Sequence, residues 1–200
     1  MLSLNAFPIL ENKRATLRPL QQTDIALLLP LALAEPELFR FMSVFIGLEK
    51  DLIEFVNLAL EERDKHLSIP FIVVDKQTGS IAGTTRFANI DQKHKRAEIG
   101  WTWISSKFHH SGLNKAMKFL MLQHAFEILQ LNRVEIKTSE LNTPSRRAIE
   151  SIGGKFEGIL RHHMVNPDGS LRNTVYYSIL KEEWPDVKGE MMTKYLLDWH

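Results

Sequence analysis

Residues 101–115 read WTWISSKFHHSGLNK, in which a strand ends, a polar turn with one glycine follows, and a long helix begins. The first N–H groups of a helix have no intrahelical acceptor, and with the macrodipole they attract an anion such as a pyrophosphate. Gly112 lets a ligand approach the backbone of this turn closely, although one glycine before a helix also serves ordinary turn geometry. A second helix start lies at Asn142-Thr143-Pro144-Ser145, where Asn142 or Thr143 can cap and Pro144 suits the first turn. Two histidine pairs, His109-His110 and His162-His163, raise the question of a metal. Adjacent strand residues point to opposite faces and one pair sits in a loop, so four ligands do not converge and no metal is expected. Trp101 and Trp103, two apart, share a strand face and are expected to pack the core; Met117 and Met121 fit helix packing.

The elements that hold these residues follow from length, composition and pattern. Of the 200 residues 44% are hydrophobic and 24% charged, enough apolar material for one domain with its own core. With no Cys, thiol nucleophiles, Cys-bearing zinc sites, iron–sulfur clusters and disulfide frameworks drop out, a weak pointer to the cytoplasm. Lys and Arg total 25 against 24 Asp and Glu, so no global field steers a polyanion, and the basic run 93–96 reads as a solvated loop rather than a nucleic-acid contact. Neither a secretory leader nor a run near the roughly 20 residues of a membrane span is visible.

Strands are expected at 14–20, 71–75, 80–87, 95–104, 133–139, 156–165 and 172–180, with turns at 76–79 and at Asn166-Pro167-Asp168-Gly169. Helices are expected after a Thr23 cap, shortened by Pro30, then at 49–66, at 113–129 and at 145–152 before Gly153-Gly154. Residues 182–200 form a short helix or arm around Trp184-Pro185. No linker or repeat divides the chain, which reads as an α+β or α/β domain with a mixed sheet.

This order of elements, with the strings GTTRFANID, AEIGWTWI, LNKAMKFLMLQHAFEIL, RVEIKTSELNTPSRRAIESIG, FEGILRHHMVNPDGSLRNTVYYSIL and EEWP, resembles the GNAT superfamily of acyl-coenzyme A-dependent N-acyltransferases, in its RimJ/RimL-like branch. In that family's Q/R-x-x-G-x-G/A loop Gly112 matches, His109 stands where Gln or Arg is usual, and Asn114 where Gly or Ala is usual. The resemblance implies a twisted, mostly antiparallel sheet with helices on both faces over nearly the whole chain. It further implies that acetyl-CoA is the cosubstrate and a primary amine, either a protein amino terminus or a small molecule, the acceptor.

For the site residues the resemblance implies that the strand end at Trp103 and Ile104 pairs with pantetheine, one of their N–H groups facing the developing oxyanion. Ser111, Gly112, Leu113, Asn114 and Lys115 would hold the pyrophosphate, with His109 and His110 on phosphate or adenine. Asn142 would bond the coenzyme, and Arg146 could reach a phosphate or remain in solvent. Glu98 is the first candidate for general base, although a strand Glu can equally bind an Arg or cap a loop. Where many members carry a helix Tyr as the acid for the departing thiolate, this chain has Ile149, which leaves Ser145 as the available hydroxyl. His162 or His163 would line the acceptor cleft. The alternative is a protein that binds acyl-CoA without transferring the group, and a homodimer through the last strands or the terminal arm stays open.

Overall fold

The computed structural model describes residues 7–196. Its strands are β1 (Leu10–Glu11), β2 (Ala15–Pro19), β3 (Ile69–Asp75), β4 (Ser80–Asp91), β5 (Arg96–Ile104), β6 (Arg133–Ser139), β7 (Lys155–Val165) and β8 (Leu171–Leu180). They form one sheet in the order β1-β2-β3-β4-β5-β6-β8-β7. Every pairing is antiparallel except that of β5 with β6. A crossover helix must join two parallel neighbours, and the long helix between β5 and β6 meets that demand.

The helices are α1 (Ile25–Ala34), α2 (Glu49–Asp64), α3 (Leu113–Gln123), α4 (Thr143–Glu150) and α5 (Trp184–Met191). Helices α1 and α2 bury Leu28, Ala32, Leu52 and Val56 against Ile72 and Trp103, while α3 and α5 bury Met117, Met121 and Met191 with Val73, Ile99 and Ile136. The two cores lie on opposite faces because alternate strand residues point to opposite sides. A π turn, His124–Ile128, continues α3 to the end of the apolar stripe, and another, Met192–Leu196, extends the terminal arm. The expected arm reached to residue 200; residues 197–200, like 1–6, lie outside the described residues.

Two local expectations are corrected, and one strand was not expected. Thr23 does not cap the first helix: Asp24 accepts from the Gln21 N–H at 2.8 Å and is gripped by both Arg18 amino groups at 2.8 and 2.6 Å, so this carboxylate organises the turn. Pro30 does not shorten α1, which runs through it to Ala34; one lost N–H is tolerated where Leu28 and Ala32 are both buried. Finally, the short edge strand β1, two residues long, carries too little pattern to be read in advance.

Candidate active site

The site begins where β5 and β6 part. Their parallel pairing covers only Arg96, Ala97 and Glu98 against Arg133, Val134 and Glu135, after which the strands diverge. A bulge accompanies the parting: between Thr84 and Arg86 the register of β4 on β5 slips, with Trp101 held at φ 48°. The slip switches faces, so Ile99 and Ile104 both lie in the α3-side core while Trp101 and Trp103 pack toward α1 and α2. Gly83 permits the close approach of β4 at φ 152°, because a Cβ there would fall 2.1 Å from the Trp103 carbonyl oxygen.

Beyond the fork, the peptide of Ile104 faces the opened side. The Ser105 N–H donates to the Ala82 carbonyl at 2.8 Å, and strand alternation turns the Trp103 N–H toward β4 and the Ile104 N–H away from it. His109 occupies the Ile104 carbonyl through Nε2 at 3.0 Å. Of the two strand-end peptides expected to meet a ligand, the Ile104 N–H is therefore the group available. Gly112 follows at φ 84°, a left-handed turn that favours glycine, and α3 starts with the Asn114 and Lys115 N–H groups bonded to nothing among the described residues.

The other residues of this loop are placed in more detail than their types disclosed. Ser111 donates its hydroxyl to the Phe108 carbonyl at 2.7 Å and weakly accepts from the Leu113 N–H, whose side chain is fully buried. Lys115 lies 3.5 Å over the Tyr195 ring, and His110 is exposed at φ 59°. Across the fork, Asn142 caps α4 by accepting from the Ser145 N–H at 3.1 Å, while the half-buried Ser145 hydroxyl has no partner among the described residues. Arg146 donates from Nε to the Tyr177 hydroxyl at 3.2 Å. Ile149 is buried in the core.

Glu98 marks the vertex on the α1/α2 side. Its Oε2 accepts from Asn89 Nδ2 and Lys137 Nζ, each at 2.8 Å, which leaves Oε1 without a hydrogen bond among the described residues. A Cβ at residue 100 would lie 3.2 Å from that Oε1, so Gly100 leaves the approach to it clear. Burial is the largest single influence and opposes the Lys137 charge, but the Glu98 hydrogen bond and the charges of Glu98, Tyr176 and Glu135 together outweigh it and the Lys137 pKa is raised. Lys137 also sits 4.7 Å over the Tyr176 ring, and Tyr176 meets His163 Nε2 at 3.4 Å. His163 thus joins the Glu98 face, whereas the exposed His162 uses its N–H on Asn173 Oδ1. Arg86 lies 4.1 Å over Trp101 and pairs with Glu62 at 3.1 Å; burial lowers its pKa to about 10. Among the described residues no group of three His, Cys, Asp or Glu side chains is placed to hold a metal.

Four cations of this region, Arg86, Lys118, Lys137 and Arg172, were not singled out by sequence pattern. For Lys137 a signal existed, since RVEIKTS places charge at every second position of an otherwise apolar strand. Lys118 stands alone on the buried side of α3, 7% exposed, with Nζ donating to Thr102 Oγ1 at 2.9 Å. Burial lowers its pKa to about 7. Since the unfolded chain keeps an ordinary lysine, it binds more protons than the fold above about pH 7, and stability should rise with pH toward about pH 10 by at most ~1.4 kcal/mol per unit. In Lys118→Met this rise is expected to flatten and stability at neutral pH to increase. Urea titrations at about pH 6.5 and about pH 9.5 check both, and an unchanged slope would refute the assignment.

Comparison with known proteins places this geometry. Residues 14–155 match the acetyltransferase (GNAT) domain. The chain is 31% identical over 180 residues to "Uncharacterized N-acetyltransferase p20" of Bacillus licheniformis, covering 88% of this chain and 97% of that protein. It is 39% identical over 110 residues to "Putative ribosomal N-acetyltransferase YdaF" of Bacillus subtilis, spanning 55% of this chain and 59% of that one. The crystal structure of a GCN5-related N-acetyltransferase from Brucella melitensis superposes with TM-score 0.88 at 27% identity, over 96% of this chain and 87% of that chain. Mycobacterium smegmatis RimJ, solved with CoA-disulfide, shares the fold with TM-score 0.78 at 23% identity, over 93% and 91%. The fork, the helix start behind it and these matches lead to one assignment: the chain belongs to the GNAT family of N-acetyltransferases.

Proposed function

We propose that the chain acetylates a primary amine, a protein α-amine or a small amine, by direct attack within a ternary complex. The observation that carries this reading is the parting of β5 from β6 immediately beyond Glu98 and Glu135, with the freed Ile104 peptide on one side and Glu98 at the vertex. Acetyl-CoA supplies the acetyl thioester when bound, as it does throughout the GNAT family. The residues present fit it: Ile104 offers a strand edge, and the Asn114 and Lys115 amides suit a phosphate. From the start of α4, Asn142 and Arg146 are the further candidates to meet the coenzyme.

The work left to this chain is orientation, proton removal and charge stabilisation, because a neutral amine is already a competent nucleophile. Glu98 Oε1 takes the amine proton, with Oε2 fixed by Asn89 and Lys137. The Ile104 N–H donates to the carbonyl oxygen as charge develops there. Ser145, whose hydroxyl is free of other partners among the described residues, donates a hydrogen bond to the departing thiolate, which takes its proton from water, and Glu98 gives up the amine proton to water before the next turnover. The name of the YdaF relative supports a protein acceptor.

Thermal unfolding with acetyl-CoA tests the site. At about 100 times Kd a specific ligand contributes roughly 2.7 kcal/mol, an expected rise of about 5–11 °C in Tm for a domain this size. CoA should give a similar shift and AMP or pyrophosphate alone should not. The reading falls if millimolar acetyl-CoA leaves Tm unmoved, or if no amine in a broad panel releases free thiol.

A further inference from the structure

On the face of β8 that carries Tyr176, strand alternation also places Thr174 and Arg172. Arg172 is 8% exposed and donates from Nη1 to the Phe41 carbonyl at 3.0 Å, yet its Nε has no hydrogen bond and no carboxylate lies within ion-pair distance among the described residues. Thr174, 1% exposed, likewise has an unpartnered hydroxyl. Buried charges are normally paired, and buried hydroxyls normally hydrogen-bonded. Burial lowers the Arg172 pKa, with Glu98 opposing from a distance as the one carboxylate that acts on it.

The row therefore runs from an unpaired guanidinium and a free hydroxyl, through the Tyr176 ring and Lys137, to the open Oε1 of Glu98. Along β8, Thr174 lies two positions from Tyr176, about 7 Å at ~3.3 Å each, and Arg172 four positions, about 13 Å. The nearer of the two groups is therefore reached over the length of about two residues. We propose that Arg172 and Thr174 form an anion pocket for the acceptor, which carries a carboxylate about two residues' length from the amine that is acetylated. This inference rests on the transferase reading and on Glu98 as its amine end. The carboxylate is either the free end of an amino acid or dipeptide, or an acidic side chain near the start of a longer chain.

Matched acceptors separate the sources. Ser-Asp-Ala-Ala amide against Ser-Asn-Ala-Ala amide tests the acidic side chain, and the dipeptide Ser-Ala against its amide tests the free carboxyl, both by thiol release from acetyl-CoA. In at least one pair the carboxylate member should be preferred on the order of ten- to a hundred-fold in kcat/KM, the range for a buried hydrogen-bonded charge. Arg172→Gln should erase the preference, mainly through KM, and Arg172→Lys should restore part of it; Thr174→Val should weaken it while keeping the Tm shift with acetyl-CoA. Equal rates within both pairs, or a preference that survives Arg172→Gln, overturns the pocket. If no acceptor is acetylated at all, the transferase reading fails instead, and the pocket is judged by melts with CoA plus N-acetyl-Ser-Asp amide against N-acetyl-Ser-Asn amide, and N-acetyl-Ser-Ala against its amide. Equal shifts within both pairs overturn it.

Discussion

Asp75→Ala is expected to lower the stability of the fold by about 3–5 kcal/mol, read as a fall in the urea midpoint at constant slope. Arg14 and Asp75 form an ion pair at the start of β2 and the end of β3, with side chains 3% and 1% exposed. Asp75 also anchors the following turn by accepting from the Thr78 N–H at 3.2 Å and its hydroxyl at 2.8 Å. Removing the carboxylate leaves the Arg14 guanidinium buried without its counter-ion, and that uncompensated charge, more than the lost attraction, sets the size of the effect. Burial already lowers the Arg14 pKa with the partner in place. The double variant Arg14→Met/Asp75→Leu should therefore recover most of the loss, since an apolar pair of similar volume is close to neutral in such positions. A single-variant loss below about 1 kcal/mol would mean that water reaches the pair in solution.

β6 was legible because Val134 and Ile136 alternate with charged residues, and its boundaries, Arg133–Ser139, coincide with the pattern, while β3, buried on both faces, reads as a continuous apolar run. Periodicity says less where an element's end depends on a distant partner. Asp24 organises the first helix because Arg18 holds it, and α1 runs through Pro30 because tertiary burial outweighs one missing hydrogen bond. The face switch at Trp101 was equally hidden: the two tryptophans do share a face, but a bulge carries them to the side opposite Ile99.

Gly112 and Asn142 were singled out as candidates from their positions at helix starts, and Glu98 from its strand together with the family resemblance. The fork was not, since a parallel pairing that stops after three residues leaves no compositional trace. Nor was Arg172, on a strand whose charge pattern gives no hint that the guanidinium turns inward to the Phe41 carbonyl. Side chains that are polar, buried and partnered across more than a hundred residues become visible only once the sheet has assembled them.

Glu98→Gln is expected to lower kcat by about 10²-fold or more while the Tm shift with acetyl-CoA persists. Gln keeps the size of the side chain and can still meet Asn89, and Lys137 retains Glu135 at 3.4 Å as a counter-ion, so the variant should fold. What it loses is a proton acceptor at Oε1, the atom that Gly100 leaves accessible. Without that acceptor only the fraction of acceptor that arrives as free amine reacts, so the residual rate should climb with pH in step with the amine's own titration. A structural role for Glu98 makes a different pair of outcomes: reduced stability, and a rate whose pH profile matches the parent. Gly100→Ala adds a second handle on the same atom, because a methyl group 3.2 Å from Oε1 obstructs the approach of the amine without touching the charge. It should raise KM for the acceptor more than it lowers kcat. If Glu98→Gln keeps kcat unchanged across the pH range, proton removal belongs to another group or to water, and the vertex of the fork serves only to hold β5 and β6 together.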